Sequence, residues 1–167
     1  MKSAYVVIPG GIYINDMKVK NGQNGLFFEM PGKNYQDAEG NWKTSYYAIP
    51  ASKESREAIM KQVQEAYDAG KYRKFTSEKD KLLVGFLNLK VETPVSVRVM
   101  LAEKDGVKRI TTDYRSYEKD GEKKYVNFVG LTKDLAAEIL TALENAEDVG
   151  PAENEVGSQE YLDPNDL

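Results

Sequence analysis

"SKESREAIMKQVQEAYD", residues 52–68, decides how the rest of the chain is read. Ser52 stands as an N-cap, and Ile59, Met60, Val63 and Tyr67 fall at i, i+1, i+4 and i+8, the spacing of one helix face. "TKDLAAEILTALENA", residues 132–146, repeats the plan, with Thr132 as N-cap and Leu135, Ile139, Leu140 and Leu143 on one face. At an offset of 80, Ser52 falls on Thr132, Lys53 on Lys133, Ile59 on Ile139 and Val63 on Leu143.

The correspondence continues upstream. At an offset of 81, Asn24-Gly25 meets Asp105-Gly106 and Gly40 meets Gly121, so two hairpin-turn signals recur at the same internal spacing. β-prone runs flank them: "SAYVVI", "GIYINDMKV" and "TSYYAIP" in the first half, "LLVGFLNLKV", "PVSVRVML" and "YVNFVG" in the second. Each half therefore reads strand, strand, turn, strand, turn, strand, helix. Units of about seventy residues bury little core alone, so the expectation is an α+β fold in which two strand-rich units form an intrachain pseudo-dimer around antiparallel sheet. The expected division is unit 1 over 1–68, a basic linker over 69–81, unit 2 over 82–146 and a disordered acidic tail over 147–167.

Composition narrows the chemistry. The chain has 167 residues, 41% of them hydrophobic, and contains no Cys and no His. Thiol nucleophiles, disulfides, imidazole bases and Cys/His zinc sites are excluded together. No stretch approaches the roughly 18 apolar residues of a membrane span and no signal peptide opens the chain, so no membrane partner and a cytoplasmic location are expected. The net charge is -4, but seven acids and no base lie from Glu147 onward, leaving 20 acidic against 23 basic residues in a mildly basic body.

The most basic stretch is "AGKYRKFTSEKDK", 69–81, where Gly70 reads as the C′ residue of the first helix and Tyr72 and Phe75 are interleaved with cations. Cations for phosphates beside rings for bases are the ingredients of a nucleic-acid surface. The candidate binding residues are Lys53, Arg56 and Lys61 on the helix, read as facing away from Ile59 and Val63, with Lys71, Tyr72, Arg73 and Lys74 beyond it. The bland alternative is a solvated linker whose Tyr and Phe pack back on the core. In the tail, Tyr161, Leu162, Asp163, Asp166 and Leu167 are candidates for a partner-binding hook, or for a mask over the basic surface.

Enzyme signatures are thin, and the chain is read as a non-enzyme without cofactor or metal. "GQNG" is followed by a strand and not by Gly-Lys-Ser/Thr, so it is no phosphate loop. Asp16 and Asp113-Tyr114-Arg115 read as solvated strand ends. The partner expected is DNA or RNA; the alternative is an assembly scaffold acting through strand edges and the tail, with no nucleic acid. Homodimerisation is compatible with either.

Residues 3–68 resemble the SpoVG family of septation and sporulation regulators. Asp16, Met17, Lys18 and Val19 fill its first element; Asn24-Gly25-Leu26-Phe27, Met30-Pro31 and Lys33 fill the second; Ile49-Pro50 ends a strand; and Arg56, Ile59, Val63 and Tyr67 match its helix. The family commonly has His-Pro where Ile49-Pro50 stands here. The resemblance implies small α+β domains that dimerise through sheet edges and bind DNA and RNA as regulators, with residues 82–146 in place of a second subunit.

Overall fold

The computed structural model describes residues 2–72 and 83–145. In the first half, strands β1 (Lys2–Ile8), β2 (Ile12–Gly22), β3 (Gly25–Glu29), β4 (Gly32–Gln36), β5 (Trp42–Tyr46) and β6 (Ala48–Pro50) precede helix α1 (Lys53–Asp68). In the second, β7 (Leu83–Val91), β8 (Val95–Lys104), β9 (Val107–Thr112), β10 (Tyr114–Lys119), β11 (Glu122–Asn127) and β12 (Val129–Gly130) precede helix α2 (Lys133–Asn145). The α+β class and the repeated order of elements agree with the sequence reading. Six strands stand in each half where four were expected, because two runs break. Pro31, which has no N–H to donate, separates β3 from β4, and Tyr47 separates β5 from β6.

The halves do not fold side by side; they exchange strands. β2 pairs with its own hairpin partner β3 and, from the other half, with β7 and β12. β8 pairs with its own β9 and, from the other half, with β1 and β6. All these pairings are antiparallel. The exchange extends to single hydrogen bonds. Tyr47 N–H donates to the Pro31 carbonyl as Phe128 N–H donates to that of Asp113, both at 2.9 Å. Asn15 N–H donates to the Phe128 carbonyl at 2.9 Å as Arg98 N–H donates to that of Tyr47 at 2.8 Å. Tyr47 and Phe128, equivalent in this scheme, stack on each other with ring centres 4.7 Å apart.

One core serves both halves. Ile12, Ile14, Met17 and Val19 of β2 and Val95, Val97 and Val99 of β8 are all buried, in a cluster shared with Ile59 and Val63 of α1 and Ile139 of α2. The strict alternation in β8 is what a strand with one buried face requires. In β2 the alternation slips: Ile14 faces Leu89 and Met17 faces Leu87, so Asn15 and Asp16 both lie opposite Asn88. That is a β-bulge, which re-aims side chains locally.

Both expected caps form. Ser52 Oγ accepts from Ser55 N–H at 3.1 Å and Thr132 Oγ1 from Leu135 N–H at 3.2 Å. Gly70, at φ +71°, ends α1 as anticipated, with Lys71 N–H donating to the Ala66 carbonyl and Gly70 N–H to that of Tyr67. The turns depart from the offset reading. In the second half Asp105-Gly106 and Asp120-Gly121 are two-residue loops with positive φ throughout, the geometry of type I′ hairpins. In the first half the β2–β3 loop is Gln23-Asn24, and Gly25 already pairs with Gly22. The Gly40 turn is a five-residue loop gathered by Asp37, whose carboxylate accepts from Glu39 and Asn41 N–H at 2.9 Å.

Candidate nucleic-acid interface

Two pairs of strands join neither main sheet. β4 and β5 pair with each other and β10 and β11 with each other, forming two exposed ribbons, equivalent in the strand exchange. Between their bases lies an open groove of about 780 Å³. Its floor is the β2 bulge, with Asn15 and Asp16, together with Asn88 and Phe128. Gly32, Asn34 and Thr44 of the first ribbon form one wall, Arg115 and Val126 of the second the other, and Met30-Pro31 and Lys71-Tyr72 complete the rim.

Register fixes what each wall carries farther out, because residues directly opposite, and residues two apart, share a face. The face holding Asn34 and Thr44 continues through Gln36 and Trp42, which is 71% exposed. The face holding Arg115 and Val126 continues through Tyr117, Lys124 and Lys119. One wall therefore carries amides and a ring; the other carries three cations among six residues, with Glu122, its only acid, paired to Lys124 at 3.2 Å. At the base of the cationic wall Arg115 Nε donates to Asp16 Oδ2 at 2.5 Å, and its guanidinium lies 5.7 Å from the centre of the Tyr117 ring. Gly32 is required by space: a Cβ there would stand 2.7 Å from the Ser45 carbonyl oxygen.

A second arginine pair lies on the other side of the Tyr47–Phe128 stack, built from different positions. Arg98 makes a two-pronged bond to the Asp113 carboxylate and lies 5.1 Å over the Tyr47 ring. The hydrogen bond from Arg98 to Asp113 holds the guanidinium above its ordinary value, and burial, reinforced by Asp113, pushes the Tyr47 phenol up. Asp16 and Asp113, read from the sequence as solvated strand ends, are both partners of arginine.

Of the residues singled out in the sequence, those that the structure describes are spread along α1 and the segment just after it. Lys71 and Tyr72 line the groove, whereas Lys53 stands at the far end of α1, a helix of 16 residues and so about 24 Å long. Lys61 is exposed, but Arg56 is half-buried and precedes Val63 by seven positions, which places it next to the packed face and not opposite it. The same helix carries Glu54, Glu57, Glu65 and Asp68 against its three cations, so its outer surface is not basic. Tyr72 stacks on Tyr67 with ring centres 5.0 Å apart and packs against the core. Arg73, Lys74 and the rest of the basic run, and the tail with Tyr161, Leu162, Asp163, Asp166 and Leu167, lie outside the described residues. The ribbons were missed: "YRSYEKDGEKKY" has no apolar alternation to announce a strand. Its signal was cations and rings at every second position around an Asp-Gly turn.

Among the described residues, no helix is long and apolar enough to cross a membrane. Residues 2–69 match the SpoVG family model. Over 64 residues the chain is 39% identical to the SpoVG protein of Symbiobacterium thermophilum, a match covering 38% of this chain and 43% of that one. Over 56 residues it is 39% identical to the SpoVG protein of Caldicellulosiruptor bescii, covering 34% and 59% respectively. The names of both refer to septation. The chain thus spans about half the length of the curated relatives it matches. No solved structure matches it. The second half is tied to the first by element order and strand exchange and not by the family match. Residues 2–69 of the chain are a SpoVG-family segment.

Proposed function

We propose that the protein binds single-stranded DNA or RNA as a regulatory, non-catalytic factor, with the strand lying in the groove between the two ribbons. The observation that carries this reading is the pairing of unlike walls. Arg115, Lys119 and Lys124 offer cations to phosphates, and Trp42, Asn34 and the floor amides Asn15 and Asn88 offer a ring and hydrogen bonds to bases. Lys71 adds a cation at the rim. Unpaired bases suit such a site because their faces and edges are open, whereas a duplex would present only its backbone and groove edges. The small excess of positive charge over residues 1–146, 23 basic against 20 acidic in a chain of net charge -4, implies modest affinity that falls steeply with salt.

Fluorescence anisotropy with labelled single-stranded DNA, RNA and duplex DNA at two salt concentrations tests the reading. Single strands are expected to bind more tightly than duplex. Arg115→Gln with Lys124→Gln is expected to lower affinity about tenfold and to reduce the salt slope by roughly 1 for each phosphate no longer neutralised. Lys53→Gln with Lys61→Gln is expected to change little. Absence of binding to any of the three at low salt overturns the reading. The acidic tail enters as a competitor for the cationic wall or as a recruiting segment; removal of residues 147–167 raises affinity in the first case and leaves it unchanged in the second.

A scaffold role is the second reading, favoured by the ribbons' outer edges, which pair with no other strand among the described residues. A protein partner captured by the full chain and released by ribbon mutations, with no effect of nucleic acid, would favour it.

A further inference from the structure

Outside the β2 bulge and the ribbon turns, the paired strands of one half correspond position by position to those of the other, so the groove has an equivalent site on the opposite side of the Tyr47–Phe128 stack. That site is furnished differently. Asn15, opposite Asn88 in the bulge, corresponds to Arg98, opposite Tyr5. Gly32 and Thr44, which leave the open groove its first wall, correspond to Tyr114 and Tyr125, whose rings meet edge to face at 5.5 Å. Pro31 corresponds to Asp113, which grips Arg98. Lys18, at the open groove, corresponds to Met100. At these five positions the second site has larger side chains in place of Asn15, Gly32 and Thr44, a carboxylate bonded to Arg98 in place of Pro31, and an uncharged side chain in place of Lys18.

We infer that the chain is a one-site pseudo-dimer: the groove holding Asn15, Asn88 and Arg115 takes a single strand of nucleic acid, while its equivalent is filled at its base by the Arg98–Asp113 pair, with the exposed rings of Tyr114 and Tyr125 packed edge to face on each other. The inference rests on the nucleic-acid reading above and specifies its stoichiometry and side. The bulge is what separates the two sites on the backbone. It places two residues, Asn15 and Asp16, where β8 has only Arg98, and Asp16 holds Arg115 at the foot of the cationic wall. On the other side the arginine comes from the floor itself and lies 5.1 Å from the centre of the Tyr47 ring, whose stacking partner is Phe128. One open site accepts one strand, whereas two equal sites related by exchange would accept two.

The test uses the full chain and an unlabelled single-stranded oligonucleotide of about eight nucleotides, within the span of a single small site. Native mass spectrometry and calorimetric titration at low salt are expected to give one oligonucleotide per chain. Asn88→Tyr, which copies Tyr5 into the open groove, is expected to weaken binding about tenfold, and Arg115→Gln several-fold. Lys33→Gln, the change equivalent to Arg115→Gln on the filled side, and Tyr125→Thr are expected to leave affinity within about twofold. Far-ultraviolet circular dichroism and a thermal melt of each variant separate loss of binding from loss of fold; the exposed positions 33, 88 and 115 are chosen so that the fold survives. Two oligonucleotides per chain, or equal weakening in Lys33→Gln and Arg115→Gln, would overturn the one-site inference while leaving nucleic-acid binding intact. No binding at all would overturn both.

Discussion

The two halves of this molecule contain the same elements in the same order and pair by the same rules, yet they differ at nearly every place where a ligand would be met. The first half contributes a bulged central strand, a Met-Pro break and a ribbon with Gly32 and Thr44 at its base. The second contributes a straight central strand, an Arg98–Asp113 pair and a ribbon with Tyr114 and Tyr125 at its base. Positions that maintain the exchange are alike in both: Ile14 with Val97, Met17 with Val99 and Ala48 with Val129 are all buried and apolar. Apolar size at the shared core is constrained by packing, which tolerates little change in volume. Side chains on the outward faces carry no such constraint. The comparison teaches that a doubled fold needs only its core to stay doubled.

The sharpest way to break the comparison is to truncate the two helices in turn. α1 buries Ile59 and Val63 completely, whereas α2 buries only Ile139, with 5% still exposed. Ile59→Ala is expected to cost about 2–5 kcal/mol and Ile139→Ala a value toward the lower end of that range. Chemical denaturation read by Trp42 fluorescence and by circular dichroism checks both costs. It also checks that each variant unfolds in one transition, since a core shared by both halves leaves neither free to melt alone. A smaller effect distinguishes the two arginines. Arg98→Ala leaves the Asp113 carboxylate half-buried without its partner and is expected to cost about 1–3 kcal/mol, with little change in nucleic-acid affinity. Arg115→Ala removes the more exposed of the two arginines from half-buried Asp16 and is expected to cost about 1 kcal/mol, less than Arg98→Ala, while weakening binding. Thermal melts and anisotropy on the same two variants would show one variant losing stability and the other losing binding. If both quantities moved together in both variants, the division between a filled side and an open side would fail.

The helices, their caps and the second half's Asp-Gly turns were legible in the sequence, because helical periodicity, Ser/Thr capping and positive-φ glycine are local properties; the first half's turns departed from the offset by their loop length. The repeat was legible for the same reason. Strand exchange was not, since alternation along β1 or β7 says which face is buried and nothing about which strand lies alongside. The bulge did leave a trace: buried residues step by two from Ile12 to Ile14, by three to Met17 and by two again to Val19, whereas Val95, Val97 and Val99 never slip. Met30-Pro31 reads as a strand terminator and is one, but it also forms part of the rim of the groove. The basic run after α1 stands out because cations adjacent in sequence are easy to see. Arg115, Lys119 and Lys124 come together only through the β10–β11 register, and Asp16 meets Arg115 across 99 positions of sequence.

The most direct measurement of where the strand lies is an amide chemical-shift map of the labelled full chain titrated with a short single-stranded oligonucleotide. The account predicts that the shifted amides cluster at Asn15, Asp16, Asn34, Thr44, Asn88 and Arg115, around the open groove. Shifts clustered instead at Tyr5, Arg98 and Tyr114, or along α1 at Lys53 and Lys61, would contradict it.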